Sequence, residues 1–351
     1  MNQPIRTAIC SFGMSGKVFH APFLHVHKGF QFYGAVERST QSVHNFYEGV
    51  QSFSSIEAML HNEAVELVIV NTPNYTHYDI AKKALLASKH VLVEKPFTVT
   101  VSEGEELIDL AKKQGKIITV YQNRRYDSDY KTVKDVLAKN LLGTVTEAEI
   151  HFDRYKPTLS NKAHKETPGA GTGTLYDLGS HIIDQAMQLF GLPHAVFADI
   201  ATMRPISQVD DYFELLLYYA DKRVRVKATN TAREPVAAYI VHGTKGSFIK
   251  SRADVQENDL QAGKLPNSDN WGIEPESEMG LLHTENNDAV VIKKHIDTLP
   301  GNYMEFYNQL HDAIRNNAAV PVLAEDAVNV IRIIEYAQQS SVEKRVIEVV
   351  F

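Results

Sequence analysis

The sequence predicts an α/β chain in two parts. Residues 1–122 read as a doubly wound parallel sheet, and residues 123–351 as an α+β domain with a large, mainly antiparallel open sheet. Three observations predict this. Short apolar runs at 5–10, 32–36, 67–70, 90–94 and 117–121 alternate with helical patterns at 76–87 and 101–113; such runs mark strands buried on both faces, as in parallel sheets. After Tyr121 the rhythm changes. Strand-like segments at 145–155, 195–203, 212–219, 224–229 and 239–242 follow one another without regular intervening helices, the pattern of an antiparallel sheet. Finally, 351 residues exceed what one ordinary core organises and fit two domains.

Composition narrows the class. With 44% hydrophobic and 23% charged residues the chain has the balance of a soluble globular protein. A formal charge of −7 and the lack of a Lys/Arg run argue against nucleic acid as a partner. The only cysteine, Cys10, lies in the first apolar run and reads as a small core residue. No apolar run has the length of a membrane span, and no charged leader with a long apolar stretch precedes Ile5, so the expected location is the cytoplasm.

The first strand leads into Ser11-Phe12-Gly13-Met14-Ser15-Gly16 and then a helical pattern through Val18, Phe19, Phe23 and Leu24. Strand, tight turn and helix are the context that a dinucleotide fingerprint requires. Gly13 would let the backbone approach a pyrophosphate, Gly16 would let helix and strand pack closely, and Ser11 replaces the usual first glycine. The second strand ends in Glu37-Arg38-Ser39, where a ribose-recognising residue is expected. Glu37 suits the ribose hydroxyls of NAD and would repel a 2′-phosphate; Arg38 and Ser39 suit that phosphate if Glu37 turns away. The balance leans slightly to NADP over NAD.

The run at 90–94 delivers Lys95 and stops at Pro96, which cannot continue a central strand. Lys95 therefore stands at a strand's carboxyl end, the edge at which open α/β sheets bind ligands. In the second half, Gly169-Ala-Gly171-Thr-Gly173 opens a helix expected over 176–190, with Asp177 and His181 at i and i+4 and Asp184 one turn on. A histidine beside a carboxylate can exchange a proton near neutral pH. Metal binding competes as a reading, but no third or fourth ligand at suitable spacing is evident, so no metal is assigned. Asn123, Arg124, Tyr155 and Trp271 are candidate substrate or pocket-wall residues, and His20 is placed to close a cofactor pocket. Residues 252–287, polar and punctuated by Gly, Pro and Asn around Trp271, read as a long loop with one helical turn; two helices are expected near 303–316 and 325–340, and a last strand at 345–350.

Taken together, the chain resembles the glucose-fructose oxidoreductase / inositol dehydrogenase (Gfo/Idh/MocA) family. The likeness lies in Gly13-x-x-Gly16 with Phe19-His20, Thr72-Pro73-Asn74 followed by His77, Glu94-Lys95-Pro96, and Asp177-x-Gly179-x-His181-x-x-Asp184. Within it, the chain is most similar to NADP-dependent scyllo-inositol dehydrogenases, through Asn123-Arg124-Arg125, Arg154-Tyr155 and Trp271-Gly272, although Glu37 stands where that subgroup carries a small residue.

The resemblance implies a Rossmann first domain that binds cofactor through Ser11, Phe12, Gly13, Met14, Gly16, Thr72, Pro73, Asn74, His77, Glu94 and Lys95. It also implies that Lys95 and His181, with Asp177 orienting, act on a polyol or sugar at the nicotinamide ring. A homodimer or higher homo-oligomer through the open sheet face is implied too, and the C-terminal helices are left able to pack back on the first domain. Two other readings stay open: a cofactor-gated regulator on the same scaffold, and a reductase of another small carbonyl or dihydrodiol compound.

Overall fold

A computed structural model describes residues 3–37, 41–160, 162–286 and 288–351. The chain divides into two units, Met1–Asn123 with Val255–Trp271 and Asn302–Val328, and Arg124–Asp254 with Gly272–Gly301 and Asn329–Phe351.

In the first unit, six strands form a parallel sheet: β1 Ile5–Ile9, β2 Phe30–Val36, β3 Gln51–Phe53, β4 Leu67–Val70, β5 His90–Val93 and β6 Ile118–Val120. Their order, β3-β2-β1-β4-β5-β6, is that of a Rossmann sheet, with the order reversing beside β1. The central strands are apolar because both faces are covered: all of β4, and Val91, Leu92 and Val93 of β5, are buried. Helix α1 (residues 14–26) follows β1, its middle turn, Gly16–His20, being a π-helical turn. Helices α2 Ile56–Leu60, α3 His77–Leu86 and α4 Val101–Gln114 return the chain between later strands. A reciprocal capping box fixes the start of α4, where the Thr100 side chain accepts from the Glu103 N–H and Glu103 accepts from the Thr100 N–H.

The second unit begins with α5 Ser128–Ala138, β7 Val145–His151, α6 Ala163–Glu166 and α7 (residues 174–190), which also starts on a π-helical turn, Leu175–Gly179. Then come β8 Ala195–Ala201, β9 Tyr212–Tyr218, β10 Arg223–Thr229, β11 Tyr239–Gly243 and β12 Gly246–Lys250. After α8 Gln256–Gln261 follow β13 Gly280–Glu285, β14 Val291–Ile296, α9 Met304–Asn316, α10 Ala324–Glu343 and β15 Ile347–Glu348. The nine strands run β14-β13-β12-β11-β7-β10-β9-β8-β15, antiparallel throughout except for the β7–β10 pair. Burial alternates along β9, with Phe213, Leu215 and Leu217 turned to the core and their neighbours half-exposed. Helices α8 and α9 belong to the first unit, and α10 starts in the first and ends in the second.

Two expectations are corrected. The stretch 252–287 is not one loop, since it carries α8 and β13. Polar composition concealed them, because Gln256 and Glu274 are buried and satisfied by side-chain bonds while β13 is buried only at alternate positions. The last strand shrinks from six expected residues to Ile347–Glu348, where it pairs with the start of β8. Besides β13, three strands had no forecast. β3 is only three residues with Gln51 exposed, and β12 and β14 carry too many exposed or charged residues for an apolar run.

Candidate active site

The glycine turn is built by mutual bonding with the end of β4. Asn71, directly after that strand, accepts from the Ser11 N–H at 2.9 Å and donates to the Ser11 carbonyl at 2.7 Å. The Ser11 hydroxyl accepts from the Gly13 N–H at 3.2 Å. A side chain at Gly16 would strike the Ser11 carbonyl and crowd Ile9 and Asn71, so the helix can approach β1 this closely only with glycine there. Helix α1 thus starts at the carboxyl end of β1, with the N–H groups that a helix start leaves without intrahelical partners. Phe12 is buried against Phe32, Phe46 and Tyr47, and Met14 is exposed. This missing side chain over a helix start is the cradle that a dinucleotide pyrophosphate needs, and the residues present fit one.

At the end of β2, Glu37 is held by its own loop and by β3. Its carboxylate accepts from the Ser42 N–H (2.9 Å) and hydroxyl (2.7 Å), the Val43 N–H (3.2 Å) and the Ser52 hydroxyl (3.0 Å). Burial works against its charge, but these donors win and hold it below the usual carboxylate range. Arg38 and Ser39 lie outside the described residues.

Along the sheet edge, Thr72 bonds to Thr76 at 2.6 Å, and Pro73 and Asn74 open a short 3-10 turn before α3. His77 is buried and bridges the two strand ends, its ring bonding the Thr72 carbonyl and the Pro96 carbonyl, each at 2.9 Å. Burial lowers its proton affinity. A neutral ring has one N–H to donate, so which of the two carbonyls it bonds is set by its tautomer.

Lys95 lies two residues past the end of β5, and the peptide bond to Pro96 is cis. The side chain of Glu94 turns inward. Its Oε1 accepts from the Ser15 hydroxyl at 2.6 Å and meets His20 Nε2 at 2.9 Å, while Oε2 accepts from the Lys95 N–H at 3.2 Å. Burial alone would raise its pKa; His20, Ser15 and the Lys95 charge outweigh that and bring it down to about 2. His20, fully buried, also meets the Tyr307 hydroxyl at 2.8 Å. Asn123 is buried in this unit, and the Trp271 indole donates to Gln256 at 3.1 Å, the same oxygen that accepts from the Tyr303 N–H.

In the second unit, α7 carries the other expected group. Asp177 lies in the π-helical turn, half-buried and paired with Lys165 at 2.9 Å. His181 follows in the first α-helical turn and is buried. Asp184 is separated from them by its partner, since Arg125 grips it through two bonds of 2.8 and 2.6 Å. The shared face expected from i, i+4 spacing is therefore divided: one carboxylate stays near water, the other is a buried anchor. The start of α7 rests on Asp210, which accepts from the Leu175 N–H at 2.8 Å. Gly173, at φ +94°, leaves room for that carboxylate. Arg124 pairs with Asp127 at 3.1 Å and lies over Phe152, and the Tyr155 hydroxyl accepts from Arg233 at 2.6 Å. Among the described residues no group of three or more His, Cys, Asp or Glu side chains is arranged to hold a metal ion.

The structure thus gathers Ser11, Gly13, Gly16, Thr72, His77, Glu94 and Lys95 on the carboxyl edge of one sheet, and Asp177 with His181 on one helix start. Sequence reasoning passed over Asn71, Ser15, Tyr307, Lys165 and Asp210. An asparagine at a strand end facing the glycine turn was a usable signal; the pairing of Tyr307 with His20, 287 positions apart, had none.

Known proteins resemble this chain in sequence and fold. Residues 5–122 match the family model described as the oxidoreductase family, NAD-binding Rossmann fold, and residues 134–349 its C-terminal alpha/beta domain. Over 346 residues the chain is 38% identical to a scyllo-inositol 2-dehydrogenase (NADP(+)) of Bacillus subtilis, covering 98% of this chain and 95% of that one. A glucose-6-phosphate 3-dehydrogenase of the same organism is 29% identical over 212 residues, 56% of this chain and 59% of the relative. The crystal structure of an oxidoreductase from Bacillus cereus superposes with a TM-score of 0.90 at 34% identity, covering 99% of both chains. With both halves matched and a relative similar end to end, this chain belongs to the Gfo/Idh/MocA family of nicotinamide-dependent oxidoreductases.

Proposed function

We propose that the enzyme oxidises, reversibly, a secondary alcohol of a cyclic polyol or sugar, with scyllo-inositol as the first candidate and NADP as the cofactor. The observation that carries the substrate is the end-to-end similarity to a scyllo-inositol 2-dehydrogenase. For the cofactor the support is Glu37. Its carboxylate is occupied by three donors of its own loop and by the Ser52 hydroxyl of β3, so it serves as a cap on the 3-10 turn Ser42–Asn45. Such a capped glutamate removes the main objection to a 2′-phosphate, which Arg38 and Ser39 would then hold.

When bound, the nicotinamide accepts the hydride. The chain's own residues do the rest. In this reading Lys95 donates a hydrogen bond from Nζ to the substrate hydroxyl oxygen and stabilises its developing negative charge. His181 takes the hydroxyl proton on an imidazole nitrogen, and Asp177 orients substrate or histidine. Ser11, Phe12, Gly13, Met14 and Gly16 seat the dinucleotide with Thr72, Pro73 and Asn74, while Asn123, Arg124, Tyr155 and Trp271 shape the substrate's surroundings. The same reading has a homodimer or higher homo-oligomer formed through the open face of the second unit's sheet.

The test is the initial rate of reduced nicotinamide formation with scyllo-inositol, myo-inositol, simple aldoses and glucose 6-phosphate, each with NAD and NADP. Turnover of an inositol with NADP that falls at least ~100-fold in Lys95→Ala, without loss of folding, is the expected result. A Lys95→Ala variant that folds and turns over normally would remove Lys95 from the mechanism. A preference for NAD would show that capping Glu37 does not admit the phosphate.

A further inference from the structure

We propose that Glu94 is a positioning residue: its carboxylate, clamped between the glycine turn and the buried His20–Tyr307 pair, fixes Lys95 in place as an ammonium group. This deepens the reading above and rests on Lys95 being the cation at the reacting oxygen.

The geometry is that of a hub. One oxygen, Oε1, takes both Ser15 of α1 (2.6 Å) and His20 of the same helix (2.9 Å); the other takes the Lys95 N–H (3.2 Å). His20 is fixed from behind by the Tyr307 hydroxyl at 2.8 Å, and that hydroxyl also donates to the Phe19 carbonyl at 2.9 Å. The Tyr121 ring stands 4.9 Å from the His20 ring. The backbone N–H of Glu94 is bonded to Val70 of β4 at 3.0 Å. The strand end is therefore bonded directly to α1 and β4, and to α9 through His20.

The charges facing the carboxylate come from several elements: Lys95 beside it, His20 on α1, His77 at the start of α3, and the phenols of Tyr121 after β6 and Tyr307 on α9. Burial pushes the Tyr307 phenol well above its ordinary range, and burial lowers the proton affinity of His77. The Tyr307 phenol is thus neutral near pH 7, and Glu94 is the negative group of the set. A buried carboxylate one residue from Lys95 favours the protonated amine, as Lys95 in turn favours the carboxylate. An ammonium group is what a developing alkoxide requires; a neutral amine would donate a weaker hydrogen bond. Ser15 sits in the turn that would seat the dinucleotide, so the same carboxylate links that turn to Lys95.

The experiment reads Lys95 directly and needs no substrate. The full-length protein is labelled with trace acetic anhydride across a pH series, and Lys95 acetylation is followed by peptide mass spectrometry, giving the amine's titration midpoint. In Glu94→Gln the midpoint is expected to fall by at least about one pH unit, a tenfold change in proton affinity. In Ser15→Ala, which keeps the charge and removes a donor that partly offsets it, the midpoint is expected to rise. A midpoint that does not move in Glu94→Gln overturns the proposal; should that variant fail to fold, a midpoint that stays or falls in Ser15→Ala overturns it. Turnover is then compared in Glu94→Gln, Lys95→Ala and the double variant. A loss in Glu94→Gln of at least about tenfold, with no further loss when it is added to Lys95→Ala, is expected for a group acting through Lys95. Losses that multiply overturn it. If Lys95→Ala turns over normally while the Glu94→Gln midpoint still falls, the role of Lys95 in catalysis fails, and the electrostatic link between the two residues stands.

Discussion

Helices α1 and α7 start alike and are held differently. Both carry a π-helical turn close to the start, Gly16–His20 in one and Leu175–Gly179 in the other, and each carries a buried histidine, His20 and His181. Both also depend on a missing side chain at the entrance. At Gly16 the space is taken by the Ser11 carbonyl, which is backbone; at Gly173 it is taken by the carboxylate of Asp210. One entrance is thus closed by a group that does not titrate, the other by one that does. Turns of this kind concentrate at functional positions, and the contrast shows two ways of stabilising one.

If the two histidines have separate tasks, asparagine at each will separate them, and this is the largest effect expected. His181→Asn should lower kcat by about 10²–10⁴-fold with the melting temperature nearly unchanged, as loss of a proton acceptor does. His20→Asn should instead cost about 1–3 kcal/mol of stability, because it unseats a buried group bonded at both ring nitrogens. Equal losses of kcat with equal stabilities would erase the distinction.

Gly16→Ala tests the rigid entrance. Its added methyl meets backbone that cannot yield, so the variant should lose about 1–3 kcal/mol in denaturant unfolding, and titration with NADP should show weaker binding. Unchanged unfolding would mean that the helix can slide away from β1.

Asp210→Asn tests the titrating entrance and has the smallest, most conditional effect. Burial raises the Asp210 pKa from 3.8 to about 6, overcoming the N–H groups of Thr174 and Leu175, which pull it down. The folded state then holds this proton more tightly than the unfolded chain. The stabilisation is complete below about pH 4 and is lost as pH rises through 6, an effect on the order of 2–3 kcal/mol. Asparagine has no such titration. Unfolding curves at pH 4 and pH 7 should therefore show the variant gaining on the native protein as pH rises; a constant difference would mean that Asp210 is charged throughout.

What could be read beforehand follows the same divide between local and distant. The first sheet was legible because four central residues of β4 in a row are apolar, and the glycine turn because its residues are contiguous. The edge strand β3 was not, being three residues long with its first exposed. Lys95 stood out through the proline that follows it, whereas the carboxylate hub around Glu94 joins positions 15, 20, 94 and 307 and leaves no pattern in any window of sequence. On α7 the spacing of Asp177, His181 and Asp184 was visible, but their division between Lys165 and Arg125 depends on residues 12 and 59 positions away.

The path of the chain through its two units bears on how the protein is made. The first unit takes residues 302–328 as well as the opening stretch, and within it Thr119 donates to the Val322 carbonyl at 2.7 Å while His20 meets Tyr307. On the ribosome, the half that emerges first therefore waits for nearly the whole polypeptide before its own interior can close. During that interval the glycine turn and its helix are present without the aromatic backing of α9. The part of the molecule with the most recognisable sequence, the first to be made, acquires its native surroundings late.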